Sequence, residues 1–345
     1  MKLVLSLALF CAFLLFPTAC ADGVRDGLAL AAGQALPALF PFFVAGGLLT
    51  RSGLAQVLAR LAARPLAVLY RLPSEAAPAV VLGLVGGYPV GAATAADLLR
   101  QGTLSPGDAA RVNRFCNCAS PGFCIGLAGL GIFGSARTGA MLYGIHVLAA
   151  LLTGLFTARE HAPVSAARTA PRRAPNESFS AVFCASVQQA ASTALTVTAF
   201  LTIFCVLLQL FDPLLSMLPY GDACSGIFEL TAGLDALAPL PLTDSAKLTL
   251  ASFLLGFGGL AVQFQVRALA APAGLPVDGF AAAKLLHGAF AAALTALLTR
   301  LSPDVFAASA PAESVPPHGL PAVFSLILLL AAFAIWSGKK AKNAV

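Results

Sequence analysis

Residues 79–92, Ala79-Val80-Val81-Leu82-Gly83-Leu84-Val85-Gly86-Gly87-Tyr88-Pro89-Val90-Gly91-Ala92, decide how this chain must be read. The stretch is apolar, yet Gly83, Gly86, Gly87, Pro89 and Gly91 interrupt it. Glycine loses the most backbone freedom in a helix, and proline removes an amide and clashes with the preceding turn. A helix entering this stretch has to stop or bend. Ala76 to Leu99 is nevertheless long enough for a membrane, whose core takes about 20 apolar residues to cross. The expected form is a broken or re-entrant membrane helix.

The neighbourhood supports this. After the polar segment Gln101 to Arg114, a second apolar stretch from Phe115 to Ser135 carries Asn117, Ser120 and Pro121. Thr138 to Thr157 then reads as an uninterrupted transmembrane helix. Upstream, Leu3 to Cys20 is expected to be a retained first helix, with a signal peptide cleaved near Ala19-Cys20-Ala21 as the alternative. Ala35 to Thr50 contains Pro37 and Pro41, which would bend an isolated helix. From Arg51 to Arg71, Arg51, Arg60, Arg64 and Arg71 punctuate Leu and Ala, the pattern of a segment lying on the cytoplasmic membrane surface. Downstream, Val182 to Phe211, Leu248 to Val266, Phe280 to Leu301 and Leu320 to Trp336 are apolar, and Lys339, Lys340 and Lys342 make a basic tail placed in the cytoplasm. Positive charge orients the loops consistently only if one interrupted stretch spans and the other re-enters.

Composition says the same. The 345 residues are 59% hydrophobic and only 10% charged, against about 25% charged in a soluble domain. Lipid lets apolar side chains face outward while forcing backbone groups to pair within helices. The basic excess, 21 Lys and Arg over 15 Asp and Glu, flanks apolar runs and forms no basic stripe interleaved with aromatics, which argues against nucleic acid. Cys116, Cys118 and Cys124 have no fourth ligand at a zinc spacing and read as small hydrophobes, so no metal or cofactor is expected. Gly129-Leu130-Gly131-Ile132-Phe133-Gly134 matches a dinucleotide pattern without the strand, helix and acid it requires. Its glycines, with Gly122 and Gly126, are expected to permit close helix packing. No nucleophile elbow, H-E-x-x-H pair or Walker loop is present, so no enzyme is expected.

An internal repeat appears when residues 79–110 are laid over the chain 172 residues later: Gly86 meets Gly258, Gly87 meets Gly259, Val90 meets Val262 and Gly102 meets Gly274. The expected fold is therefore an all-α, polytopic transmembrane protein of two related halves with broken or re-entrant helices. Its boundaries are 1–157 for the first half, 158–180 for an Arg- and Pro-rich linker, 181–301 for the second half, and 302–345 for a loop, an extra helix and the basic tail.

Polar side chains inside the apolar segments mark where function is expected, because ionisable groups in a membrane tend to face a bundle interior or a water-filled path. The candidate substrate-binding set is Gly86, Gly87, Tyr88, Pro89, Gly91, Asn117, Ser120, Pro121, Glu229, Gln263 and Gln265. Broken helices free amides and carbonyls at membrane depth, and the amide side chains beside them suit an uncharged polar solute. Glu229 suits a coupling proton or cation. Lys284 and His287 belong to the same intramembrane polar set, with snorkelling or an interfacial position, as for Arg111, the alternative.

Four motifs carry a resemblance: Gly87-Tyr88-Pro89-Val90-Gly91-Ala92, Phe115-Cys116-Asn117-Cys118-Ala119-Ser120-Pro121-Gly122-Phe123, Phe228-Glu229-Leu230-Thr231-Ala232-Gly233, and Gly259-Leu260-Ala261-Val262-Gln263-Phe264-Gln265. In this order the chain resembles the YlbJ-type sporulation integral membrane proteins from about Lys2 to Arg300. That family is similar to proteins with the Gate, or nucleoside-recognition, domain. The resemblance implies a multi-pass cell-membrane protein with a role in sporulation and a transport-like site. Cys118 departs from a small polar position in the second motif, and the Leu320 to Trp336 helix extends past the family-like region. The expected function is a permease-like transporter of a small polar solute, nucleoside-like or a cell-wall precursor. The alternative is a sporulation scaffold or assembly factor without transport. Expected partners are membrane lipid, the solute with a coupling ion, and a second copy or sporulation membrane proteins.

Overall fold

The protein is described by a computed structural model, which describes residues 2–51, 54–157, 178–217 and 221–302. These residues lie within one compact unit, Met1–Phe306. Most of the linker, the Leu320 to Trp336 helix and the basic tail lie outside them. Every regular element among the described residues is helical, as expected where no water is present to satisfy a sheet edge.

Helix α1 (Lys2–Leu15) ends at Phe16, and α2 (Pro17–Leu30) starts with proline at its first position, where the missing amide costs nothing. The chain bends by 95° there. Helix α2 runs through a π turn, Ala31–Ala35, into α3 (Leu36–Arg51). In that turn the Leu36 amide bonds to the Ala31 carbonyl rather than one residue later. The shift lets the helix pass Pro37 without breaking. Helix α4 (Leu54–Pro65) widens into a π turn, Leu66–Tyr70, and the path bends by 114° into α5 (Ala77–Gly86).

The first interrupted stretch folds back on itself as a short hairpin. Helix α5 folds back onto α6 (Val90–Arg100), and a Cβ built on Gly83 would lie 3.0 Å from the Gly91 Cα. Helices of ten or eleven residues are roughly 15 Å long, half the membrane core. The second stretch does not fold back. After α7 (Pro106–Asn113) the chain is irregular to Pro121, then forms a π-helical segment, Gly122–Ile132. It runs antiparallel along the whole of α8 (Ala136–Thr157): Arg114 bonds to the Thr157 carbonyl, Phe115 faces Gly154, Ala119 bonds to His146, and Gly129 meets Gly139 backbone to backbone. Gly126, expected to pack closely, faces open space instead.

Helix α9 (Phe179–Leu215) lies antiparallel to α2 and α3. Gly23 and Gly27 bring the two backbones together, with built Cβ positions 2.5 Å from the Val206 and Thr202 Cα atoms. A second short hairpin follows, α10 (Gly221–Phe228) and α11 (Leu230–Leu237), turning at Glu229 with Gly226 packed on Gly233. Helices α12 (Asp244–Phe257) and α13 (Gly259–Ala270) continue one another as a single span, Asp244–Ala273, interrupted only at Gly258. The last described helix, α14 (Phe280–Leu301), packs antiparallel on α12, Gly256 against Gly288 and Ser252 bonded to Thr295.

A short helical hairpin followed by a 22-residue helix, α8 or α14, occurs in each part of the chain, while α4 and α7 have no counterpart in the second. The double glycines matched across 172 residues sit at breaks of different geometry. Gly86-Gly87 turns a hairpin, whereas Gly258-Gly259 lies within a span. That spacing holds better at the helix ends: Gly102 bonds to Leu99 and Thr103 to Leu98, as Gly274 does to Ala271 and Leu275 to Ala270. Four helices are long and apolar enough to cross a membrane, up to six counting each bent pair as one span.

Candidate functional site at the helix breaks

The four breaks touch one another in sequence. A Cβ on Gly87, whose φ is +81°, would lie 2.7 Å from Ser120 Cβ, and Gly83 and Gly91 leave room for the Cys116 carbonyl between α5 and α6. Tyr88, at the hairpin turn, donates its hydroxyl proton to the Leu255 carbonyl at 2.5 Å and lies against Gly258. Gly259, with φ of +70°, abuts the Leu230 amide and the Phe228 carbonyl at the second hairpin's turn. Both hairpin turns therefore meet the α12–α13 break, and the first meets the Ser120 break as well.

The amides released by the breaks are taken up inside the protein. Asn117 Oδ1 accepts from the Ala92 amide at 2.9 Å, capping α6 from the neighbouring span, while its Nδ2 donates to the Asn113 carbonyl and side-chain oxygen, both at 2.8 Å. His146 Nε2 accepts from the Ala119 amide at 2.8 Å, Ser120 Oγ from Phe123 at 3.1 Å, and a Glu229 oxygen from Ala232 at 2.7 Å. The expectation that these groups stand free to grip a solute is corrected here. A buried amide left unpaired costs about 1–3 kcal/mol, and neighbouring side chains close most of that account.

Lys284, outside the candidate binding set, is the centre of the site. It is 0% exposed, as is His287, so neither snorkels. Lys284 Nζ donates to the Asn117 carbonyl at 2.9 Å and contacts His287 Nδ1 at 3.1 Å and the Tyr88 hydroxyl at 3.4 Å. His287 Nε2 donates to the His146 carbonyl at 3.0 Å. The signal was the i, i+3 spacing of Lys284 and His287, one face of a helix. Arg111 is buried too: it pairs with Asp108 at 3.0 Å and closes the turn at Tyr70 through that residue's carbonyl.

The other candidates separate. Gly86 ends α5 against Val90, and Pro89 and Pro121 flank breaks without donating. Gln263 and Gln265 are both buried in α13, but residues two apart point to opposite sides of a helix. Gln263 shares its face with Gly259 and Val266, and its Nε2 has no partner; Gln265 is on the other side. A cavity of about 640 Å³ opens beside the second hairpin, lined by Asp26, Gln34, Cys205, Gln209 and Ala232. Gln209 bonds to Asp26 across it at 2.8 Å, and Gln34 bonds to Asp235 at 3.2 Å.

Apolar spans, two short helical hairpins and a buried polar centre between them define a multi-pass α-helical integral membrane protein. Over 322 residues the chain is 26% identical to the sporulation integral membrane protein YlbJ of Bacillus subtilis (strain 168), covering 82% of this chain and 78% of that protein. It is a YlbJ-type relative. No family model matches the sequence, and no solved structure matches it significantly.

Proposed function

We propose that this protein is a sporulation-associated, permease-like transporter with no catalytic chemistry of its own, moving a small polar solute, nucleoside-like or a cell-wall precursor, through the site at its helix breaks. The tie to sporulation rests on the relative's name. The Gate-like character rests on the motif resemblance together with paired hairpins and interrupted spans, the arrangement in which transporters place substrate sites. One observation carries the reading: Asn113 Nδ2, His146 Nδ1 and Gln263 Nε2 are buried without a partner. Such groups are costly in a purely structural core, and a solute that bonds them offsets the cost. Glu229, at the second hairpin's turn and one bond from the cavity-lining Ala232, is the candidate carrier of a coupling ion.

Purified protein in proteoliposomes, offered labelled nucleosides, sugars and cell-wall precursors, should accumulate at least one of them. Absence of both uptake and any solute-dependent thermal shift sinks the reading. The second reading, a scaffold or assembly factor, is favoured by the closed capping of Asn117 and Glu229. It predicts that Asn117→Ala lowers the inserted amount; normal insertion with lost function argues for transport.

A further inference from the structure

The unsatisfied hydrogen-bonding capacity around Lys284 is all of one sign. Backbone groups cannot exchange donor and acceptor roles, so they orient the side chains that meet them. The Ala92 amide makes Asn117 Oδ1 the acceptor, so Asn117 Nδ2 donates to Asn113 Oδ1 and Asn113 is left with Nδ2, a donor, unpartnered. The Ala119 amide makes His146 Nε2 the acceptor, so the proton of the neutral ring sits on Nδ1, which is buried and has no acceptor. The His146 carbonyl takes the proton on His287 Nε2, leaving His287 Nδ1 to accept from Lys284.

Lys284 is surrounded by three acceptors: the Asn117 carbonyl, His287 Nδ1 and the Tyr88 oxygen, whose own proton goes to Leu255. Three acceptors around one nitrogen call for three N–H groups, an ammonium. Among the described residues no carboxylate pairs with it: the ion pairs are Arg25 with Asp22, Arg100 with Asp97 and Arg111 with Asp108. Cys118 donates its thiol proton to the Phe115 carbonyl at 3.6 Å and is therefore neutral. The centre thus holds a buried positive charge without a counter-charge, and the side chains next to its partners, Asn113 beside Asn117 and His146 beside His287, each carry a donor without an acceptor. A buried ion lacking its partner is the costly case.

We propose that the site receives an oxyanion, a solute bearing carboxylate or phosphate whose oxygens accept from Asn113 Nδ2, His146 Nδ1 and Lys284. This rests on the permease reading of the same site and narrows its solute to a negatively charged one. A neutral sugar or nucleoside brings hydroxyl donors as well as acceptors, and this cluster has no free acceptor for them. The Tyr88 contact, the longest of the three around Lys284, is the one a solute oxygen replaces.

The test compares matched pairs on the purified full chain: uridine monophosphate against uridine, and glucose 6-phosphate against glucose, by thermal shift and by uptake into proteoliposomes. The charged member of at least one pair should bind at least about tenfold more tightly. Lys284→Met should erase that preference. Asn113→Asp is the second variant, because it keeps the oxygen that Asn117 uses and replaces only the unpartnered nitrogen, so it should insert normally while supplying the missing negative charge and excluding the solute. Equal or tighter binding of a neutral member overturns the oxyanion assignment and leaves the permease reading standing. Undiminished anion binding by Asn113→Asp also overturns the assignment alone. If neither member of either pair binds, the oxyanion assignment falls, while the permease reading falls only if the wider set of nucleosides, sugars and cell-wall precursors also fails.

Discussion

His146 and His287 face each other with ring centroids 4.4 Å apart and planes inclined by 33°, one ring from each 22-residue helix that closes a half of the fold. Each ring has a separate backbone duty, His146 to the Ala119 amide and His287 to the His146 carbonyl. Replacing His146 by Phe keeps the ring contact but orphans the amide, at a cost of about 1–3 kcal/mol. His287→Phe should cost more, since it also strips an acceptor from the Lys284 ammonium. Thermal unfolding of both variants in detergent checks the ranking.

The glycines separate by what surrounds them. A Cβ at Gly83 overlaps the Cys116 carbonyl, and one at Gly233 overlaps the Gly226 backbone, so Gly83→Ala and Gly233→Ala should each open a hairpin and abolish folded protein on size-exclusion chromatography. Gly126 has nothing within 4 Å, and Gly126→Ala should be recovered at parental yield.

Glu229 caps α11 through one oxygen. Glu229→Gln retains an acceptor and should melt within about 0.5 kcal/mol of the parent, whereas Glu229→Ala loses the cap, worth about 1–2 kcal/mol. If Glu229 carries a coupling ion, the Gln variant should nonetheless lose solute accumulation. A Gln variant that is stable and fully active would confine Glu229 to capping.

Arg111 and Asp108 form a buried pair, and Ser105 bonds the second carboxylate oxygen at 2.8 Å. Arg111→Met leaves that carboxylate buried without its cation and should destabilise by about 3–5 kcal/mol. Adding Asp108→Asn removes the stranded charge and should restore part of the loss. A double variant no more stable than the single one would contradict the pairing, as read by unfolding midpoints.

Much of the site was legible in outline. Gly87-Tyr88-Pro89 and Asn117-Cys118-Ala119-Ser120-Pro121 had to be breaks, because their residues cannot sustain a helix, and the structure brings the two together. The roles were less legible. Asn117 looked like a free hand for a solute, yet its oxygen caps α6, twenty-five residues earlier in the chain. Lys284 admitted a snorkelling alternative because a local window cannot see Tyr88, 196 residues away. Gln263 and Gln265 looked like one pair, and helical geometry sets them on opposite faces.

What the sequence determined by itself was the solvent and the helices: 59% hydrophobic residues with 10% charge leave only lipid as surroundings, and lipid admits only backbone paired within itself. It also marked where those helices fail. Only the tertiary structure decided that one interrupted stretch folds back while the other runs the length of α8. It alone decided that the Tyr88 and Asn117 breaks meet at Lys284. Breaks are set by the few residues at each turn, whereas a meeting of breaks depends on packing between segments far apart in the chain, where Gly23, Gly27, Gly83 and Gly91 admit neighbouring backbones that no local pattern names.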